Sequence, residues 1–174
     1  MKKFFFALVL LTLCGIFNFC SAKRLIPTDS GTISYERMSL GGINIFAKPQ
    51  YVKKIYGEPV RIQNNTTFST FCYGQDESFR VRFINSALKN APVAIILISD
   101  KNNGIETYDG VHVGMDEDVL KEIYGTPYQI DEADEKNNWH KIYQYAGYGK
   151  AAYCFLSFAC RDGEIKNITC WYYL

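Results

Sequence analysis

His112 and His140 are the chain's two histidines, and Cys72, Cys154, Cys160 and Cys170 are its cysteines beyond residue 22. A thiol beside an imidazole is the minimum equipment for nucleophilic catalysis, because the imidazole takes the sulfur's proton. Cys72 or Cys160 could be drawn into such a pair. Against that, His112 replaces Asn44 at the matching position of a repeated strand, which points to a structural place. His140 follows Trp139 at the mouth of a polar loop. No Gly-x-Ser-x-Gly elbow, P-loop or His-Glu-x-x-His motif occurs. Asp131, Asp134 and Glu135 could hold calcium loosely, but an EF-hand loop needs glycine where Lys136 stands. The Cys-x5-Cys-x9-Cys spacing lacks the close ligand pairs of a zinc site. The expectation is a protein without catalytic residues, metal or cofactor.

What must position any site is a repeat. Gly42 to Ile62 returns as Gly110 to Ile130, offset by 68 positions without a gap, and seven of the 21 positions are identical. A self-similar segment of this kind marks one small unit used twice. Each copy reads as a strand, then a short helix. Asp116 is an N-cap whose carboxylate can accept from free backbone N–H groups. Pro49 opens the first helix, where its missing N–H costs nothing. Tyr51, Val52, Ile55 and Tyr56 form an apolar face matched by Val119, Leu120, Ile123 and Tyr124. Gly57 and Gly125 end the helices, and Pro59 and Pro127 stop them resuming. The shared Tyr-Gly-x-Pro is helix-ending punctuation.

Four strands follow each helix. Alternation and turn chemistry put them near Val60–Gln63, Thr67–Tyr73, Ser78–Ile84 and Val93–Ser99, then Tyr128–Asp131, Trp139–Gly147, Tyr153–Cys160 and Glu164–Tyr173. Phe79, Val81 and Phe83 face the core, with Arg80 and Arg82 on the opposite face. For the last hairpin two registers compete. A two-residue Asp-Gly turn would turn Asn167 and Thr169 inward, where unpaired polar groups cost about 1–3 kcal/mol each. A three-residue Arg-Asp-Gly loop puts Ile168, Cys170 and Tyr172 on the core face instead. The second is preferred, and it sets Cys154 opposite Cys170 as a cross-strand disulfide. Cys72 and Cys160 have no required pairing.

The N-terminus reads as a targeting segment. Lys2 and Lys3 precede the apolar run Phe4 to Phe19, and Cys20-Ser21-Ala22 fits a cleavage site before Lys23. The run is shorter than the roughly 20 residues that span a bilayer. Lipid attachment at Cys14 or Cys20 wants a small residue ahead of the cysteine, where Leu13 and Phe19 stand. Membrane association is therefore expected only if the chain is lipidated, and the compartment expected is secreted or periplasmic, in a bacterial envelope. Residues 23–174 carry 17 basic against 18 acidic side chains, which argues against nucleic acid as a partner. The organisation expected is a signal peptide at 1–22, an N-terminal segment at 23–39, and repeat units at 40–100 and 101–174. At this size each unit's core would be marginal alone, so the two should share a sheet or an interface.

Aromatic residues make up 16% of the chain, more than a small core needs. By the preferred register Tyr153, Phe155, Trp171 and Tyr173 lie on the face opposite the core, with Tyr153 across from Trp171. Arg80 and Arg82 occupy the equivalent face of the first unit. A row of aromatics on a rigid sheet is the anatomy of a protein-binding hot spot.

The Gly-[Ile/Val]-x-[Ile/Val] strand, the Gly114-Met115-Asp116 helix start, and Val119 to Pro127 with its copy at Val52 to Pro59 resemble the tandem repeats of β-lactamase-inhibitory proteins. They also resemble the single-unit small lipoproteins of the outer-membrane β-barrel assembly machinery. The resemblance covers most of residues 40–174. It implies an α+β fold of two tandem repeats, each a short helical segment packed on a four-stranded antiparallel sheet. It further implies a protein that binds another protein. The function expected is an exported, non-catalytic protein-binding module. The alternatives are an envelope-assembly or lipoprotein-like structural factor and, last, a small hydrolase or thiol enzyme using Cys160 or His140.

Overall fold

The computed structural model describes residues 31–85, 95–132 and 139–172. The signal peptide, Cys14, Cys20, Tyr173, the Asn90-Ala-Pro92 turn and most of the polar loop at 131–138 lie outside them. Among the described residues no helix is long and apolar enough to cross a membrane.

The elements run β1 (Thr32–Ile33), β2 (Ser39–Leu40), β3 (Ile43–Asn44), α1 (Pro49–Tyr56), β4 (Arg61–Asn64), β5 (Phe68–Tyr73), β6 (Phe79–Ile84), β7 (Ile95–Ser99), α2 (Asp118–Tyr124), β8 (Gln129–Glu132), β9 (Lys141–Gly147), β10 (Cys154–Arg161) and β11 (Glu164–Tyr172). The fold is α+β, as expected. Four strands were expected in each unit, with the units sharing a sheet or an interface; among the described residues there is one nine-stranded sheet and the small β2–β3 pair. The large sheet runs β4-β5-β6-β7-β11-β10-β9, with β8 and β1 both alongside β9. Only β1–β9 is parallel; the other pairs are antiparallel. The join is β7 with β11, through Leu97–Cys170, Ile98–Thr169 and Ser99–Ile168. One rung crosses eight strands: Arg61, Cys72, Arg80, Ile98, Thr169, Ser157, Gln144 and Gln129.

Both helices stop where the sequence says. Gly57 and Gly125 have φ of 77° and 75° with ψ of −161° and −151°, a region open only to glycine. Their N–H groups donate to Lys53 and Lys121 carbonyls. The expected N-cap is displaced: the helix starts at Asp118 with Glu117 as its N-cap and no side-chain capping bond, and Asp116 Oδ1 accepts from the Asp118 N–H at 2.8 Å one residue ahead of the cap. The helical faces are narrower than the sequence suggests. Val52, Leu120 and Tyr124 are buried and Tyr56 is half-buried, whereas Tyr51 and Ile55 are exposed. An eight-residue helix against a curved sheet has room for one inward stripe, and the i+3 partners fall outside it.

The core lies between one face of the sheet and a layer made of α1, α2, β2–β3 and the connecting loops. Phe71, Phe79, Val81, Phe83, Tyr145, Leu156, Phe158, Ile165, Ile168 and Cys170 enter from the sheet. Ile33, Met38, Leu40, Ile43, Ile45, Val52, Leu120 and Tyr124 meet them. The segment ahead of residue 40 is thus part of the core, which its sequence did not disclose. Arg37 secures it: Nε pairs with Asp109 Oδ2 at 2.9 Å, Nη2 donates to the Ile123 carbonyl, and the guanidinium lies 5.1 Å from the Tyr124 ring centre.

The last hairpin corrects the expected register. Arg161 pairs with Glu164 across a two-residue Asp162-Gly163 turn, with φ of 56° and 79°. Cys160 then pairs with Ile165 but Ala159 pairs with Asn167, so Lys166 is an extra residue in β11. That bulge reverses the alternation, turning Asn167, Thr169 and Trp171 outward and Ile168 and Cys170 inward. The inward set was expected; the three-residue loop that was to produce it is not what does so. Cys154 consequently faces Tyr172, Cys170 faces Leu156, and Phe155, in place of Tyr153, stands across from Trp171. Cys154 and Cys170 are buried with free thiols, two residues out of the expected alignment.

Candidate binding surface

The face of the sheet away from the core carries the remaining chemistry. Over β9, β10 and β11 it is built of three rungs: Ala146–Phe155–Trp171, Gln144–Ser157–Thr169 and Ile142–Ala159–Asn167. The middle strand contributes the small side chains Ser157 and Ala159, with longer ones on each side. That choice of residues leaves an open depression of about 350 Å³. It is lined by Ile142, Gln144, Ser157, Ala159, Asn167 and Thr169, with Trp139 and Trp171 completing the wall. These are both of the chain's tryptophans.

The wall is locked from behind. Trp171 Nε1 donates to Ser157 Oγ at 2.9 Å, and its ring stacks on Phe155 with centroids 4.8 Å apart and planes 25° from parallel. Tyr128 on the edge reaches Phe155 at 6.2 Å. Thr169 Oγ1 donates to Asn167 Oδ1 at 2.9 Å. Gln144 Nε2 donates to Asp131 Oδ2 at 2.8 Å. Among the described residues the lining holds no formal charge.

The other expected surface residues scatter. Tyr153 is exposed but sits ahead of β10 with φ of 69°, off the strand alternation, and is not part of the wall. Arg80 and Arg82 do face outward on β6, and each is tied to a neighbour. Arg80 Nη2 pairs with Asp100 at 2.7 Å; Arg82 Nε donates to Thr70 Oγ1 and lies 5.5 Å from the Phe68 ring centre. Trp139, Gln144, Ser157 and Asn167 were not expected here. The signal that could have found them is the pair of small residues, Ser157 and Ala159, alternating in a strand otherwise lined by aromatics.

Among the described residues the thiols and imidazoles do not assemble into a reactive pair. Cys154, Cys160 and Cys170 point into the core. Burial pushes the Cys154 thiol up to about 11, the Cys160 thiol up to about 12, and the Cys170 thiol well above its usual range. Cys72 is buried on the other face beside Arg61, Glu77 and Arg80, and burial raises its thiol too. A thiol held protonated is a poor nucleophile. His140 touches the Asp162 carboxylate at 3.6 Å near the exposed turn, and His112 Nδ1 bonds the Val113 carbonyl at 3.0 Å. Among the described residues no group of three or more histidine, cysteine, aspartate or glutamate side chains is placed to hold a metal ion.

No protein-family model and no curated protein matches the sequence. Among solved structures, the chain is similar to a DUF4309 family protein (YjgB) from Bacillus subtilis subsp. subtilis str. 168, at 14% identity and a TM-score of 0.45, over 76% of this chain and 83% of that one.

Proposed function

We propose that this chain is an exported, non-catalytic protein-binding module whose contact surface is the open face of β9, β10 and β11. The observation that carries the reading is the Trp139–Trp171 wall around a pre-formed depression on a rigid sheet. Tryptophan and tyrosine supply a disproportionate share of binding energy at protein interfaces, most of all where they are held in place before the partner arrives. Phe155 and Ser157 do that holding. The protonated, buried thiols weigh against the thiol-enzyme alternative.

The same reading includes a duplicated unit. The 68-residue offset carries α1 onto the stretch holding α2, and β4 onto β8 end to end. Following the ladders outward, Arg61 corresponds to Gln129, Cys72 to Gln144, Arg80 to Ser157 and Ile98 to Thr169. Ile98 and Thr169 are paired with each other at the join, so the eight-strand rung reads the same from both ends. That is the register a two-fold relation between copies would produce. It supports kinship with the β-lactamase-inhibitory and barrel-assembly lipoprotein repeats, and residues 1–22 support export.

The test is cross-linking capture from a native envelope extract, comparing the wild-type chain with a Phe155→Ala/Trp171→Ala variant and a Tyr51→Ala/Ile55→Ala control. The reading requires partners that the first variant loses and the control keeps. An unchanged partner set would reject the surface.

A further inference from the structure

The depression has a chemistry narrower than a generic contact surface. We propose that it takes a neutral sugar unit of an oligosaccharide. The inference rests on the reading that the open face of β9–β11 binds, and leaves open whether the sugar is carried by a protein.

A sugar ring has an apolar C–H face and a rim of hydroxyls, each able to donate one hydrogen bond and accept two. The depression offers a complement to both. Two indoles, Trp139 and Trp171, border it, and aromatic rings are the side chains that pack best against C–H groups. Its polar groups have their directions already assigned. Asn167 Oδ1 is taken by the Thr169 hydroxyl, which leaves the Nδ2 group to donate. Gln144 Nε2 is engaged with Asp131, which leaves Oε1 to accept. Ser157 Oγ accepts from Trp171, and its own O–H is a donor. Residues with two donors and an acceptor to spare thus line a space of about 350 Å³, at the lower end of the roughly 300–1,000 Å³ typical of small-molecule sites.

The same lining argues against other occupants. A phosphate, carboxylate or ammonium would give up hydration with no counter-charge among the described residues of the wall. A purely apolar group would cover Asn167 and Gln144 without bonding them, leaving polar atoms unpaired. Asp131 stands behind Gln144 and orients it without lining the space.

Both tryptophans of the chain border the depression, so fluorescence excited at the red edge, where tyrosine does not absorb, reports on this site. The titrants are glucose, galactose, N-acetylglucosamine and their β-1,4-linked dimers. The expected result is a saturable emission change, half-complete near or below about 1 mM, for at least one dimer. Asn167→Ala and Gln144→Ala, which keep both indoles, should each weaken it by about tenfold, with near-ultraviolet circular dichroism unchanged. No saturable change with any sugar, or a change undiminished in both variants, overturns the proposal. A sugar that binds and also displaces captured protein identifies a protein-borne glycan. Sugar binding with no protein capture identifies a free polysaccharide, and retires the protein-binding reading while keeping this one. Protein capture insensitive to every sugar, with silent fluorescence, does the reverse.

Discussion

Trp171 on β11 donates its indole N–H to Ser157 on β10 at 2.9 Å, and the same ring stacks on Phe155. One hydroxyl and one phenyl ring therefore help to fix one of the two indoles that wall the depression. Ser157→Ala should free the indole at modest cost, about 0.5–1.5 kcal/mol of stability for the lost bond. The expected signature is a drop in Trp171 fluorescence anisotropy in a Trp139→Phe background, together with weaker partner capture. Unaltered anisotropy would mean that the ring is held without the Ser157 bond.

Lys166 is the surplus residue of the β11 bulge, and its Nζ makes an exposed contact with Glu164 worth little by itself. Deleting Lys166 would make Cys160–Ile165 and Ala159–Asn167 consecutive pairs while leaving every later residue on its present face. The shortened chain should fold, keep Trp171 outward and keep its near-ultraviolet spectrum. Deleting Asn167 instead removes one wall residue and should abolish the fluorescence response to sugars.

That bulge marks where sequence reasoning stopped. The eight long strands were legible because apolar and polar residues alternate over enough length, as in Phe79 to Ile84 with its buried-outward rhythm. Helix ends were legible because Gly57 and Gly125 obey a local backbone rule. A bulge is a relation between two strands, so neither β10 nor β11 announces it alone, and Cys154 was set opposite the wrong residue for that reason. The two-residue strands β1, β2 and β3 are too short to alternate. Ile33, Met38 and Leu40 join the core through Arg37 and Asp109, a contact 72 residues apart in sequence. On the open face, Phe155 and Trp171 were visible as outward aromatics. The depression beside them depended on Ser157, Ala159, Gln144 and Asn167 meeting across three strands.

Arg37 and Asp109 form an ion pair whose carboxylate is fully buried and whose guanidinium is nearly so. Removing one partner of such a pair leaves a charge without compensation. Arg37→Met should cost about 3–5 kcal/mol, read as a lowered urea midpoint. A loss below about 1 kcal/mol would mean that the segment ahead of residue 40 adds little to the core.

Burial raises the Cys154 and Cys160 thiols from 9.0 to about 11 and about 12, and the Tyr73 phenol from 10.0 to about 12. Below pH 9 these groups are protonated in folded and unfolded chains alike, and their full contribution to stability is present. As pH climbs from 9 towards 12, the unfolded chain releases protons that the folded chain retains, so stability falls. Denaturation midpoints should decline steadily through that window, and native thiols should resist alkylation at pH 8 until urea exposes them. Rapid native labelling at Cys154 or Cys160 would contradict the buried, protonated state.

A partner seated on the open face of β9–β11 would shield that part of the backbone from solvent. Hydrogen–deuterium exchange on the captured complex tests it most directly. New protection is expected across 139–147, 155–161 and 167–171, with none on α1. Protection confined to α1, around the exposed Tyr51 and Ile55, would contradict it.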